Sequence, residues 1–333
     1  MHSKFFQLLL GLLFLGMIAC TKSEDKESFI GPQDITTPTN FKVENDSLYA
    51  AFPLVSFSEN KQFFLARFSH KVKWILEIKG LQSGASKTIE GISQNLDSVN
   101  SQFSGDGEGI PFFLPGEMCK ANLKIPGHER SYETRFSINL TKTMDCFVID
   151  DFENPGSTSG FTSWEKDDAD SNVVASRNQG QKFLEGKAAS HFAGKDSDGN
   201  YWIAYSETQT RNWTSYLEGK SADRLYINGF ALDNANGNTR LEIQILEDEN
   251  GDGQFNSSQD EIYKKQVSLG DAWLGFSLLY SDFEKANTAG NGGKEPAKIL
   301  KIRMILITVP AGAFAEAWVD FVNFTYDKPF SQK

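Results

Sequence analysis

From about residue 29 onward the apolar residues alternate with polar ones over short runs, and this period of two is what most limits the folds open to the chain. Residues 63–68, 72–78, 121–125 and 132–138 each place apolar side chains on one face of an extended strand. Clusters of Gly, Ser, Asn and Pro separate these runs at intervals of about ten residues, the spacing of strands joined by turns. No amphipathic helix of a dozen residues is visible in this half. The pattern predicts a β-sandwich of immunoglobulin-like size over residues 29–143, although the Cys…Trp…Cys spacing of true immunoglobulin domains is absent.

The alternation pauses near residues 141–145, and Cys146-Phe147-Val148-Ile149-Asp150-Asp151-Phe152-Glu153 opens a new segment. Strands are expected at 201–205, 224–231, 240–246, 262–269, 273–279, 299–309 and 317–326, with one helical turn at 281–286. Seven or more strands joined by polar loops predict a jelly-roll sandwich over residues 146–328. The fold class is therefore all-β, an immunoglobulin-like sandwich followed by a jelly roll. No repeat of 20–50 residues is present.

Composition removes several functions. With 33 basic against 44 acidic residues the net charge is −11, which disfavours binding to nucleic acid, a process driven by Lys and Arg on phosphates. Four His and three Cys are too few for the common zinc frameworks. Gly156-Ser157-Thr158-Ser159-Gly160 puts Thr158 where a nucleophile elbow needs Ser, and neither a phosphate-binding loop nor an H-E-x-x-H motif occurs. His70, His128 and His191 are expected on the surface or in loops. The acid pairs Asp167-Asp168 and Asp196/Asp198 have no spacing that sets a glycosidase geometry. The reading is of a protein that is not an enzyme.

The sharpest motif is the run from Asp248 to Glu261. Asp248, Asn250 and Asp252 fall at positions 1, 3 and 5 of a D-x-[DN]-x-[DN]-G loop, with Gly253 at the turn and the carbonyl of Gln254 at position 7. Calcium takes six to eight oxygens, which short acids alternating around a tight turn supply. Position 12 is Gln259, so Asp260 or Glu261 would close the cage, and the flanking runs read as strands. The loop is expected to hold a structural calcium in a hairpin.

The first twenty residues are an address. Lys4 precedes an apolar run from Phe5 to Ile18, too short for an ordinary membrane span and suited to a signal peptide. Met17-Ile18-Ala19-Cys20 resembles a bacterial lipobox, which implies a signal peptide over 1–19, lipidation of Cys20 and a tether over 20–28. The acidic cluster after Cys20 resembles the surface-export signal of Bacteroidetes lipoproteins. Localisation is expected at the outer membrane, lipid-anchored, with export to the cell surface implied by that cluster. In such an oxidising compartment Cys119 and Cys146 are compatible with a disulfide and equally with two separate buried thiols.

The second half resembles a carbohydrate-binding module of the galactose-binding-like jelly-roll type. The residues that carry this are the opening Asp150-Asp151-Phe152-Glu153, Trp202, Tyr205 and Trp213 mid-domain, Asp282-Phe283 after Trp273, and Val319-Asp320-Phe321-Val322 near the end. The resemblance implies glycan binding and a second, structural calcium on Glu153 and Asp320. Sugar rings pack their C–H faces on aromatic side chains, so Trp164, Tyr201, Trp202, Trp213 and Tyr216, in or beside polar loops, are the candidate ligand residues. Trp74, Trp273 and Trp318 sit in apolar alternations and are expected in the core. The partner is a polysaccharide or, in the alternative of an adhesin or structural envelope protein, a surface protein.

Overall fold

Strand β3 (Phe64–Gly80) organises the first half. Phe64, Ala66 and Phe68, and after a register shift at the half-buried His70 also Val72, Trp74, Leu76 and Ile78, are all buried, so one strand contributes two successive apolar stretches. A computed structural model describes residues 37–330 except 110–111, 143, 155–159, 167–172, 197, 210, 236 and 268; the expected signal peptide, the expected lipidation site Cys20 and the expected tether lie outside them. Around β3 lie β1 (Tyr49–Ala50), β2 (Leu54–Ser56), β4 (Ser86–Leu96), β5 (Met118–Lys124) and β6 (Tyr132–Leu140), in the sheet order β1-β3-β5-β6-β2 with β4 also on β3. The pairing is antiparallel except for β2 on β6. Phe136, Ile138, Leu123 and Cys119 complete the core. Trp74 lies opposite Gly91 of β4, where a Cβ would stand 2.5 Å from the indole. That close approach requires glycine.

The second half is a two-sheet sandwich. Its strands are β7 (Phe147–Asp150), β8 (Phe161–Lys166), β9 (Val174–Gln179), β10 (Ala188–Gly194), β11 (Trp202–Thr208), β12 (Leu225–Asp233), β13 (Thr239–Glu247), β14 (Glu261–Val267), β15 (Leu274–Leu279), β16 (Glu284–Lys285), β17 (Ile299–Thr308) and β18 (Ala315–Tyr326). The back sheet runs β15-β12-β18-β10-β9 with β7 on β18, and the front sheet runs β16-β14-β13-β17-β11-β8. Ile227, Ala231, Val319 and Phe324 of the back sheet share one core with Leu241, Ile243, Ile302, Met304 and Leu306 of the front sheet. The described α-helix is the single turn α1 (Thr214–Leu217), and the turn expected at 281–286 is a 3-10 turn at Tyr280–Asp282 leading into β16.

Strand β18 carries a bulge that positions much else. Its register against β12 shifts between Asn228 and Phe230, and Phe321 adopts a left-handed φ of 49°. One extra residue therefore puts Asp320 and Phe321 both on the outward side, while Val319 and Val322 both face the core. On that outward side Phe321 and Phe230 meet Phe112 from the first half, with ring centroids 5.4 Å apart in each case, and Phe330 packs beside them. Leu184 joins this cluster, and Trp318, Leu232 and Ala189 form a smaller one beside Phe183 and Trp273. The back of this sheet is thus covered.

The cysteines fall in different places. Cys119 faces the core of the first half, Cys146 packs in the cluster around Phe112, and both are free. The disulfide left open by the sequence is not formed. Burial pushes the Cys119 thiol far up and the Cys146 thiol up to about 12, as expected of inert thiols. His191 also departs from expectation. It lies in β10, buried, its ring stacked 3.8 Å from the Trp318 indole, with Nε2 2.9 Å from Glu316 Oε1.

Candidate functional site

The front sheet presents an outward face that register alone assembles. Antiparallel partners lie side by side on one face of a sheet. Following the pairing from β8 to β14, one row reads Ser163, Glu207, Arg303, Gln244, Lys264. The next reads Glu165, Tyr205, Ile305, Glu242, Gln266, and a third Trp202, Ile307, Arg240. Charged residues on central strands are costly unless paired, and these are paired. Glu207 accepts hydrogen bonds from Lys301 Nζ at 2.7 Å and from Arg303 Nε and Nη2 at 3.0 and 2.7 Å. Burial pushes the Glu207 carboxyl up, but the hydrogen bonds from Lys301 and Arg303 outweigh it and hold the group below its usual range.

The guanidinium of Arg303 lies over the Tyr205 ring, 4.8 Å from its centroid, and the Trp202 ring is 5.3 Å from that of Tyr205. Burial, then the hydrogen bond to Glu165, pushes the Tyr205 hydroxyl up to about 12, so it stays a neutral donor. Gln244 Nε2 donates to Glu242 at 2.8 Å. The result is an indole and a phenol set beside fixed amide, carboxylate and guanidinium groups. Tyr201, which precedes Trp202 in the chain, is 60% exposed.

The aromatic residues singled out from sequence do not form one platform. Trp202 lies at this face, and Tyr201 is exposed just before it in the chain. Trp164, expected in a loop, is in β8 opposite Ser206 and packs half-buried against Phe192. Trp213 is wholly buried. The turn α1 folds it under the sandwich, where Nε1 donates to the Ile299 carbonyl at 3.0 Å and the ring packs edge-on to Phe324. It presents no surface to a ligand. Tyr216 is half-buried against Phe147 with Lys220 over its ring. Trp74 and Trp318 are core residues as expected, but Trp273 is only half-buried. Tyr205, Glu207, Arg303, Glu242 and Gln244, which share this face with Trp202, were not singled out as candidate ligand residues from the sequence. The available signal was the charged alternation Lys301-Ile302-Arg303-Met304 inside an otherwise apolar strand.

The acidic loop is folded around two buried carboxylates. Asp248 accepts from the backbone N–H groups of Gly251 and Gly253 at 2.7 and 2.8 Å, and Asp260 from those of Glu249 and Asn256 at 2.9 and 2.6 Å. Asn250 Oδ1 accepts from the Asp252 N–H at 2.9 Å, while Asp252 is exposed and accepts from the Gln254 N–H. Among the described residues no Lys, Arg or His pairs with Asp248, Asp252 or Asp260. Glu261 turns away from the loop to Lys285 Nζ, the Tyr263 hydroxyl and the Gly292 N–H, so Asp260 is the acid that faces it.

A second acidic group lies on the outer side of the back sheet, beside the bulge in β18. Asp320 Oδ2 accepts from the Leu184 and Glu185 N–H groups at 2.8 and 3.1 Å, and Glu153 Oε1 from those of Lys187 and Ala188 at 2.7 and 2.8 Å. Gly186, at φ +63°, lets the Glu153 carboxylate sit where a Cβ would be. Burial, then Glu153 and Asp151, push the Glu185 carboxyl up to about 7, and its Oε2 has no hydrogen-bond partner. Burial foremost raises Asp320 well above the usual range. Among the described residues no three of His, Cys, Asp and Glu enclose an ion as they lie. The chemistry of both groups nevertheless suits calcium, which adds amide and backbone carbonyl oxygens to carboxylates. Asp196 only caps its own turn, by accepting from the Asp198 and Asn200 N–H groups, and Asp167-Asp168 lies outside the described residues.

These observations define a class: an all-β chain with two cores, whose second half is a two-sheet sandwich with one covered and one open face. No family model and no curated protein matches the chain. Among solved structures it is similar to the SGBP-B from a complex xyloglucan utilization locus in Bacteroides uniformis, at 12% identity and TM-score 0.38 over 84% of this chain and 72% of that one. It is similar to the family 11 carbohydrate-binding module of a cellulosomal cellulase of Clostridium thermocellum, at 16% identity and TM-score 0.34 over 56% and 96%. It is also similar to a CBM22-1 xylan-binding domain from Paenibacillus barcinonensis, at 14% identity and TM-score 0.31 over 56% and 99%. None of these likenesses bears on which residues of this chain meet a ligand.

Proposed function

We propose that the protein binds an extracellular polysaccharide, without transforming it, along the outward face of the front sheet. The observation that carries this is the register-aligned set of Trp202, Tyr205, Arg303 and Glu207 on neighbouring strands. A sugar ring offers C–H faces to Trp202 and Tyr205 and hydroxyls to the guanidinium, carboxylate and amide groups beside them. Because Arg303 and Glu207 already hold one another, little side-chain freedom is lost on binding. The same face extends over several strands, which suits a chain of sugars. Calcium would be held in the hairpin loop by Asp248, Asn250, Asp252 and Asp260, and on the outer side of the back sheet by Glu153, Glu185 and Asp320. In each place it would neutralise clustered acids and fix a loop.

Cys20 would carry the lipid, and residues 20–28 would tether the binding half outside the outer membrane. Changing Cys20→Ser should abolish fatty-acid labelling and release the protein from membranes; a variant that keeps both overturns the anchor. For the binding face, Trp202→Ala and Tyr205→Ala should each weaken retention in polysaccharide affinity gels about tenfold, equivalent to about 1.4 kcal/mol. A wild-type protein retained by no polysaccharide in a broad panel overturns the reading.

A further inference from the structure

The two halves of the chain enclose a cleft of about 490 Å³ on the far side of the second sandwich from the face just described. Gln82, Ser83 and Leu114 line it from the first half, and Lys182, Phe183 and Trp273 from the second. We propose that this cleft is a second saccharide subsite, with the Trp273 indole as its ring platform. The proposal rests on the reading of the protein as a polysaccharide binder.

Two of the three walls are each fixed by one buried carboxylate. On the first wall Glu117, wholly buried, accepts from the Gln82 and Ser83 N–H groups at 3.2 Å each and from the Leu114 N–H at 2.6 Å. The Ser83 hydroxyl donates to the same carboxylate at 3.0 Å. Gly80 makes this possible, since a Cβ there would stand 2.5 Å from a Glu117 oxygen. On the second wall Asp320 holds the N–H groups of Leu184 and Glu185, and so the loop that presents Lys182 and Phe183. On the third, the Asp233 N–H donates to the Gly270 carbonyl at 2.8 Å, and Trp273 packs beside Phe183, Leu232 and Trp318. Three segments far apart in sequence are thus held in place before any ligand arrives, which removes much of the ordering cost of binding.

The chemistry of the lining selects the ligand. The volume lies within the range of about 300–1,000 Å³ typical of small-molecule clefts. The half-buried Trp273 and Phe183 supply apolar lining, and the polar residues Gln82, Lys182 and Asp271 line the cleft beside them. An apolar ligand would make no use of those three rim groups, of which Gln82 and Asp271 are exposed. A pyranose ring, apolar on its faces and hydroxylated at its edge, satisfies both sets. Since the cleft and the front face lie on opposite sides of one sandwich, a single short oligosaccharide cannot occupy both. A long polysaccharide would be held at two points, with the gain in avidity that linked sites give.

The test is a titration of residues 20–333 with cellohexaose, xylohexaose, laminarihexaose and mannohexaose in turn, followed through the indole N–H signals of the ¹⁵N-labelled protein. The Trp273 and Trp202 signals should both move with at least one sugar. Trp273→Ala should remove about half of the calorimetric stoichiometry, and Lys182→Ala, a milder change at the rim, should weaken the Trp273 response several-fold. Tyr205→Ala should leave the Trp273 titration unchanged. If Trp202 responds and Trp273 does not, the cleft is no subsite and the front-face reading stands. If Trp273 responds and Trp202 does not, the cleft stands and the front face fails. If neither indole responds and no polysaccharide is retained, both are overturned.

Discussion

The two sheets of the second sandwich share one core and differ in what lies on their outer sides. The back sheet turns Phe230, Phe321, Trp318 and Leu232 outward, and these are covered by Phe112, Phe183, Trp273 and Phe330. The front sheet turns Glu207, Arg303, Gln244 and Glu242 outward, and these are satisfied by one another. An apolar outer face must find another piece of protein to lie against, whereas a charged, internally paired face stays open to solvent and to polar ligands. The difference separates a side used for assembly from the side proposed for recognition, and it can be tested from both sides.

The largest effect is expected where the covered side is broken. Phe112 is buried between the halves, so Phe112→Ala should cost about 3–5 kcal/mol, as for other large aromatic truncations. Denaturant unfolding followed by tryptophan fluorescence should then resolve separate transitions for the two cores; one unchanged transition would show that Phe112 does not join them. Next in size is calcium. A ligand at a hundredfold excess over its Kd stabilises by about 2.7 kcal/mol, so chelation should lower the Tm by several degrees. Asp248→Ala with Asp260→Ala should remove part of that response and Glu153→Gln the remainder. A Tm indifferent to EDTA would remove calcium from both places.

On the open side, Arg303→Ala should lower stability by less than the Phe112 variant, because Lys301 still holds the buried Glu207, yet weaken polysaccharide retention about tenfold. A fall in Tm comparable to that of the Phe112 variant would mean that the front-face charges hold the fold and not a ligand. The smallest effect concerns pH. The folded-state value of Glu207 lies below its ordinary 4.5, so its contribution is fully present above pH 4.5 and is lost as pH falls through the lower folded value. Glu207→Gln should therefore flatten the acid limb of a stability profile below pH 4.5 and leave its neutral region unchanged in slope.

The strands themselves were readable from the sequence because burial on one face writes a period of two into residues such as those of β3 and β13. The front face was readable only in part. Trp202 was marked by its type, but Tyr205, Glu207 and Arg303 are drawn together by pairing between strands nearly a hundred residues apart, and a charged alternation looks the same whether it faces bulk water or a partner. Trp213 misled for the opposite reason: its neighbours Arg211, Asn212 and Thr214 are polar, yet α1 turns the indole inward to the Ile299 carbonyl. The loop at Asp248 was legible in its spacing. Which acid completes it was not, because Asp260 and Glu261 differ by the alternation of a strand whose start the sequence does not mark.

The bulge in β18 has a meaning for the chain as an assembly. Ala315, Ala317 and Val319 face the core before it, and Val322 and Phe324 after it. Strike out Phe321 and the remaining residues keep an unbroken in-and-out order, so the sandwich has no need of that residue for its own closure. Phe321 is supernumerary there, and its ring belongs to the junction with Phe112. The attachment of one half of the molecule to the other is thus written in the length of a strand, one residue more than its own sheet requires, and not in any change of its apolar content.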